Sequence, residues 1–280
     1  MPEEEMLDDE NLLRHHLERI AQPRDPDWSP WGHAQVWQYV ITQMQRWGEV
    51  ESFPFTYGGQ TYHNQILKLP GGSGDPVIVG AHVDAVPESP GADDNASGVA
   101  VLLTLAGALT RDPARHPIWL VAFDLEERGL VGSYHYAQWL RQQRQRVRLM
   151  LSLEMVGYRG GEQRYPPGLA RFYPAQGDFL ALIGNLSSLG AMGQMQRHVK
   201  NAGIPCERLP VPGRGSLIPD TRRSDHASFW DAGYRAVLVT DTANLRNPHY
   251  HKLSDTLETL DMDFLTGVYR GLAAAIRALR

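Results

Sequence analysis

Histidine and acidic residues follow the apolar runs of this chain in a repeated way. Val77-Ile78-Val79 leads into Gly80-Ala81-His82-Val83-Asp84, and Ile118 to Phe123 leads into Asp124-Leu125-Glu126-Glu127. Leu149 to Leu153 leads into Glu154, and Ala236 to Val239 leads into Thr240-Asp241 and a loop with His249 and His251. Imidazoles and carboxylates are the donors that Zn²⁺ and related ions take. If the apolar runs are parallel strands, their ends share one sheet edge and these donors converge there.

Taken singly, each piece has a plainer role. His82 alone reads as a hydrogen-bonded core histidine, Glu126-Glu127 as a solvated turn, and Asp93-Asp94-Asn95 as the N-cap of the helix that follows. Ligand-type residues at every one of these strand ends are an improbable coincidence.

The elements that must position them read as follows. Residues 7–21 and 33–48 are amphipathic helices, with Trp31, Trp37 and Trp47 expected to pack them onto the body. Glu49 to Pro70 is two strands joined at Gly58-Gly59. Helices at Ser97 to Leu109, Ser133 to Arg144 and Phe264 to Leu279 alternate with the apolar runs. That alternation predicts an α/β fold with a mostly parallel, mixed central sheet flanked by helices. Residues 1–280 read as a single domain. Gly160 to Asp220, rich in Gly and Pro with a helix from Gly190 to Ala202, reads as an insertion roofing a site at the strand ends.

The composition excludes several classes. A net charge of -5, from 27 basic and 32 acidic residues, argues against a nucleic-acid partner. Arg141, Arg144, Arg146 and Arg148 read as a solvated helix end. The single cysteine, Cys206, allows no intrachain disulfide and fits a reducing compartment. The opening MPEEEMLDDENLL is acidic without an apolar centre, so no signal peptide and a cytoplasmic location are expected, with a removed leader left open. No apolar run reaches the roughly 18 residues of a membrane span. There is no G-x-S-x-G elbow and no glycine-rich phosphate loop.

The blocks GAHVDAV, PGADDNASG, LEERGLVGS, LSLEMVGY, RRSDHASFWDAGY and NPHYHKLSDT, in this order, resemble the di-zinc aminopeptidase family. That family includes bacterial leucine-type aminopeptidases, glutamate carboxypeptidase and glutaminyl cyclase, and the resemblance covers roughly residues 33–280. It implies a phosphorylase/hydrolase-like zinc exopeptidase architecture and two zinc ions per chain, with Mn²⁺ or Co²⁺ as other ions suited to such ligands. It implies His82, Asp94 and Glu154 as ligands of one ion, and Asp94, Glu127 and His251 as ligands of the other. Asp93 is the neighbouring candidate for the bridging position. Glu126 corresponds to the general base, and Asp84 to the group that accepts the other N–H of His82.

Glu154 departs from the family's usual aspartate. Thr221-Arg222-Arg223 stands where relatives often have an oxyanion-holding tyrosine. Arg222 and Arg223 are therefore candidate substrate-binding residues, and Asp225 and His226 candidate supports beside the site; a helix N-cap at Ser224-Asp225 fits equally well. The implied activity is a hydrolase, a metallopeptidase acting on peptides with a free N-terminus. A carboxypeptidase, a glutaminyl-cyclase-like enzyme and a non-catalytic binding module are the alternatives. The sequence leaves the oligomeric state open.

Overall fold

The computed structural model describes residues 7–279. Two helices come first, α1 (Asp9–Ile20) and α2 (Pro30–Gln45). A hairpin of β1 (Val50–Tyr57) and β2 (Gln60–Leu69) follows, turning at Gly58-Gly59, both at positive φ. Then come β3 (Val77–His82), α3 (Gly98–Arg111), β4 (Ile118–Phe123), α4 (Val131–Gln142) and β5 (Leu149–Glu154). The chain continues through β6 (Leu180–Asn185), α5 (Leu189–Asn201), β7 (Cys206–Val211), α6 (His226–Asp231), β8 (Ala236–Thr240) and α7 (Met262–Ala278).

All strands join one 8-stranded sheet in the order β1-β2-β4-β3-β5-β8-β6-β7. The middle four, β4, β3, β5 and β8, are mutually parallel. Antiparallel pairs β1–β2, β2–β4 and β6–β8 surround them, and β6 pairs parallel with β7. This is the mixed α/β sheet expected from the alternation of runs. The parallel centre puts the C-terminal ends of β3, β4, β5 and β8 side by side.

The central strands of the sheet are buried on both faces, as period-2 alternation shows. Val77, Val79 and Ala81 of β3 join the cluster formed with α1, α2, α3, α5 and α7. Ile78 joins the opposite cluster, built on Tyr136 and Leu140 of α4 and Phe229 and Trp230 of α6. β5 divides likewise, with Leu149, Leu151 and Leu153 on one side and Met150 on the other. Two covered faces require continuous apolar strands, and this is why these runs were visible. At Gly80 any Cβ would lie 2.3 Å from the Phe123 ring, so the glycine lets β3 and that ring pack together.

Two expectations need correction. Residues 160–220 are not simply a roof, because β6 and β7 extend the sheet. Residues of the irregular stretches, Gln163, Tyr165, Leu169 and Tyr173, line a cavity that begins at Glu154 together with residues of β6 and β7. Trp31 does not pack onto the body. It sits in the first turn of α2 and is 74% exposed, whereas Trp37 is buried and Trp47 packs against the core.

Candidate metal centre

The strand ends deliver the donors in a compact arrangement. His82 is the last residue of β3 and is fully buried. Its Nε2 lies 3.4 Å from Asp94 Oδ1 and 3.4 Å from Glu154, the last residue of β5. The other oxygen of Asp94, Oδ2, lies 3.1 Å from His251 Nε2. That nitrogen is also 3.3 Å from Glu127 Oε2. One carboxylate thus faces two imidazoles, one oxygen to each. A donor atom from each of Asp94, Glu127 and His251 lies within 4.8 Å of the other two, and the same holds for His82, Glu126 and Glu154. Glu126 therefore stands as close to the first group as a ligand would.

These turns are under backbone strain. Leu125, directly before Glu126, has φ 57°; Met155, directly after Glu154, has φ 47°; His251 itself has φ 58°. Left-handed conformations cost non-glycine residues on the order of 1–3 kcal/mol each and persist where surrounding bonds enforce them. Asp84 supplies such bonds at the first turn. Its two oxygens accept the backbone N–H groups of Glu126 at 3.0 Å and Glu127 at 3.1 Å. At the second turn, Asn95 Oδ1 accepts the N–H of Met155, and Asn95 Nδ2 donates to the Leu153 carbonyl. Asn95 thereby ties the Asp94 segment to the end of β5.

Asp84 also lies 3.4 Å from His82 Nδ1, so the same carboxylate faces a histidine and the turn that carries two glutamates. Asp255 repeats the device, accepting the N–H groups of Asp93 at 2.9 Å and Asp94 at 3.1 Å. Asp93 looks away from the histidines. Its oxygens accept the Gly157 N–H and the Asn247 side-chain amide, so Asp94 takes the bridging place.

The electrostatics are those of crowded acids. Burial, together with neighbouring carboxylates, raises Glu126 well above the usual range; Glu127 rises to about 7 for the same reasons. Burial also raises Glu154. For the histidines burial opposes the proton, but the carboxylates outweigh it, lifting His251 to about 10 and His82 well above its ordinary value. Glu127 Oε1 and Glu154 Oε2 are buried without a hydrogen-bond partner. Orphaned carboxylate oxygens beside two imidazoles are the donor set a divalent cation satisfies. The residues therefore fit zinc.

Further out, Tyr250 stacks on His251, with ring centroids 3.7 Å apart and planes at 21°. Its hydroxyl accepts from Arg223 at 2.9 Å. Arg223 also borders a cavity of about 720 Å³, open mouth included, that begins at Glu154. Tyr165, Leu169, Tyr173, Phe179, Leu209 and Leu238 give that cavity apolar walls.

Two outer residues, Arg222 and His226, do not stand as expected. Arg222 is committed to Asp231 at 2.7 Å and to the Arg214 carbonyl at 2.6 Å, so it is not available to substrate. His226 donates to the Thr221 carbonyl at 2.8 Å and packs edge-on against Trp230, a core role that burial enforces by lowering its pKa to about 4. Asp225 makes no side-chain cap to α6, so the N-cap alternative fails, but it stands within the field of His82, Glu154 and Asp84, where a support beside the site would stand. It is fully buried, and burial lifts it to about 7 despite the favourable field of His82. His249 bonds Ser254 rather than joining the donors.

Asp255 and Asn95 were missed as supports although both stand inside the quoted blocks. Their signal was a short polar residue beside a ligand-bearing turn.

The sequence profile of peptidase family M28 matches residues 64–276. YfbL, an uncharacterised protein of Escherichia coli (strain K12), is 35% identical over 233 residues, 76% of this chain and 70% of its own length. Leucine aminopeptidase 2 of Arthroderma otae is 26% identical over 230 residues, covering 78% of this chain. Among solved structures, BSAP, a zinc aminopeptidase from Bacillus subtilis, superposes with a TM-score of 0.60 at 28% identity over 79% of this chain. The chain spans 45% of the length of the Arthroderma enzyme and 50% of BSAP.

Proposed function

The chain belongs to peptidase family M28, a metallopeptidase family, and from that premise we propose that it is an aminopeptidase using two zinc ions and Glu126 as general base. The observation that carries the reading is Asp94, whose two oxygens face His82 and His251 respectively. His82, Asp94 and Glu154 would hold one ion; Asp94, Glu127 and His251 would hold the other. Bound there, zinc would acidify a water to a pKa near 7 and polarise the scissile carbonyl.

The chain's own residues do the rest. Asp84 fixes the turn that carries Glu126 and Glu127, so the two glutamates take separate directions from adjacent positions. Glu126 accepts the proton of the attacking water and returns it to the leaving amine. Tyr250 holds the His251 ring by stacking. The apolar cavity beside Glu154 suits a large hydrophobic N-terminal side chain, and a free amine at its Glu154 end would lie near the carboxylates.

A panel of aminoacyl-nitroanilides, with and without chelator and zinc add-back, tests this. Release from free-amine leucyl and phenylalanyl substrates is expected, abolished by chelator, restored by zinc and absent from N-blocked compounds. Zinc-loaded protein that releases nothing from this panel would refute the aminopeptidase reading in favour of a carboxypeptidase or cyclase. Among the described residues, no helix is long and apolar enough to cross a membrane.

A further inference from the structure

Arg24 precedes the region matched to the family, yet its side chain ends behind the candidate metal centre. It is fully buried. Its Nε donates to the Val83 carbonyl at 2.6 Å, between His82 and Asp84. Its Nη2 donates to the carbonyls of Gly91 at 2.9 Å and Asp94 at 3.2 Å. Its Nη1 reaches the Pro90 carbonyl at 2.5 Å and those of Gln22 and Ile20 at 3.2 and 3.3 Å. Every partner is a backbone carbonyl, and none is a carboxylate.

A buried guanidinium is costly unless its charge is answered. Here burial works against the proton, while Asp94, Asp255, Asp84 and Glu127 act on it favourably through space. Gly91 gives a second, independent sign that the arrangement is built. A Cβ at Gly91 would lie 2.2 Å from the Asp94 carbonyl oxygen and 2.9 and 3.0 Å from the two Nη atoms, and φ there is 56°. The glycine lets the loop close on the Asp94 carbonyl and on the guanidinium that bonds it.

We infer that Arg24 is a positioning residue that clasps the His82–Asp84 turn to the Asp94 segment, fixing the separation of the two donors and so the affinity for metal. This rests on the reading that the two donor groups hold zinc. Only a planar fork with several fixed donors spans both segments; a lysine ammonium on the same path cannot replace it. Two effects oppose each other when Arg24 is replaced. Losing a positive charge near the centre favours a cation, and losing the clasp disfavours it. The direct bond to the Asp94 carbonyl makes the clasp dominant, so weaker binding in Arg24→Met identifies the clasp rather than the field.

Zinc affinity of the metal-stripped full chain is measured by competition with a chromophoric chelator, for the unsubstituted protein, Arg24→Lys and Arg24→Met. Cobalt(II) absorption is read in parallel. If the unsubstituted protein binds no metal, the metal reading itself falls, independently of Arg24. If it binds, both variants, once shown to unfold cooperatively, are expected to bind about 10–100-fold more weakly, as loss of outer supports does elsewhere. They are also expected to show a changed cobalt band, with no rescue by lysine. Lower stability with unchanged affinity and spectrum would mark Arg24 as merely structural and overturn the proposal. Should neither variant fold, Arg24→Gln, which keeps a shorter neutral amide donor on the same path, carries the test; unaltered zinc affinity there overturns the proposal equally.

Discussion

Replacing Asp84 with asparagine should loosen the candidate metal centre without touching a proposed ligand. The carboxylate accepts two backbone N–H groups, from Glu126 and Glu127, and faces His82 Nδ1. Asparagine keeps one acceptor oxygen. Whichever way the amide turns, its NH₂ points at one backbone N–H. A hydrogen bond to a charged group contributes about 1.5–3 kcal/mol, and an orphaned buried donor costs about 1–3 kcal/mol. Since the deletion cost already includes part of the bond's value, the expected loss for Asp84→Asn is roughly 2–4 kcal/mol. It is read by urea unfolding of the metal-free protein, which keeps metal binding out of the equilibrium. Zinc affinity should fall about 10–100-fold, because His82 Nδ1 loses the carboxylate beside it, keeping only the Asp84 backbone carbonyl at 3.2 Å, and the Glu127 turn loses its anchor. A variant within about 0.5 kcal/mol of the parent and with unchanged zinc affinity would refute the assignment of Asp84 as the shared support.

Glu126→Gln should lower kcat by about 10²–10⁴-fold while zinc stays bound, as elemental analysis would check; loss of the metal with the activity would reassign Glu126 as a ligand. Tyr165→Ala should enlarge the apolar cavity and shift preference among nitroanilides away from leucyl substrates towards bulkier ones; an unchanged ranking would place the N-terminal side chain elsewhere. His16 offers a pH test far from the site. Burial, with help from His15, lowers its pKa to about 3, so it is neutral in the fold, where its Nδ1 bonds the Tyr39 hydroxyl at 2.7 Å. The unfolded chain takes up that proton near pH 6.5. The stabilisation is therefore full above pH 6.5 and drains away as pH falls towards about 3, by an amount on the order of 4–5 kcal/mol. His16→Gln should flatten the acid limb of a stability–pH curve by up to one proton; identical limbs would contradict the neutral assignment.

The legible part of this chain was the part that repeats a physical rule. Val77–Val79, Ile118–Phe123, Leu149–Leu153 and Ala236–Val239 are buried on both faces, so their runs are continuous, and the polar residues that end them stand out. β6 and β7 lie at the sheet's far side, where Ile183 and Leu209 are only partly buried and Glu207, Arg208 and Pro210 interrupt the pattern. Phe179 to Ile183 is an apolar run leading through the start of β6, but the Gly- and Pro-rich stretch around it obscures it, and β7 has no such run. Trp31 misled because a tryptophan reads as core, while its place in the first turn of α2 turns it to solvent. Arg24 was invisible for another reason. Its partners are backbone carbonyls, up to 70 positions away along the chain, and carbonyls carry no residue type.

The bonds from Asp255 to the Asp93 and Asp94 amides close a loop of more than 160 residues. A growing chain that stops short of residue 255 therefore carries the Asp94 segment but not the group that holds its backbone, and one that stops short of 251 also lacks the last donor. Synthesis must pass residue 255 before the donors can be assembled on a fixed backbone. Long-range closure of this kind slows folding. It also means that a chain still short of residue 251 holds no complete set of donors.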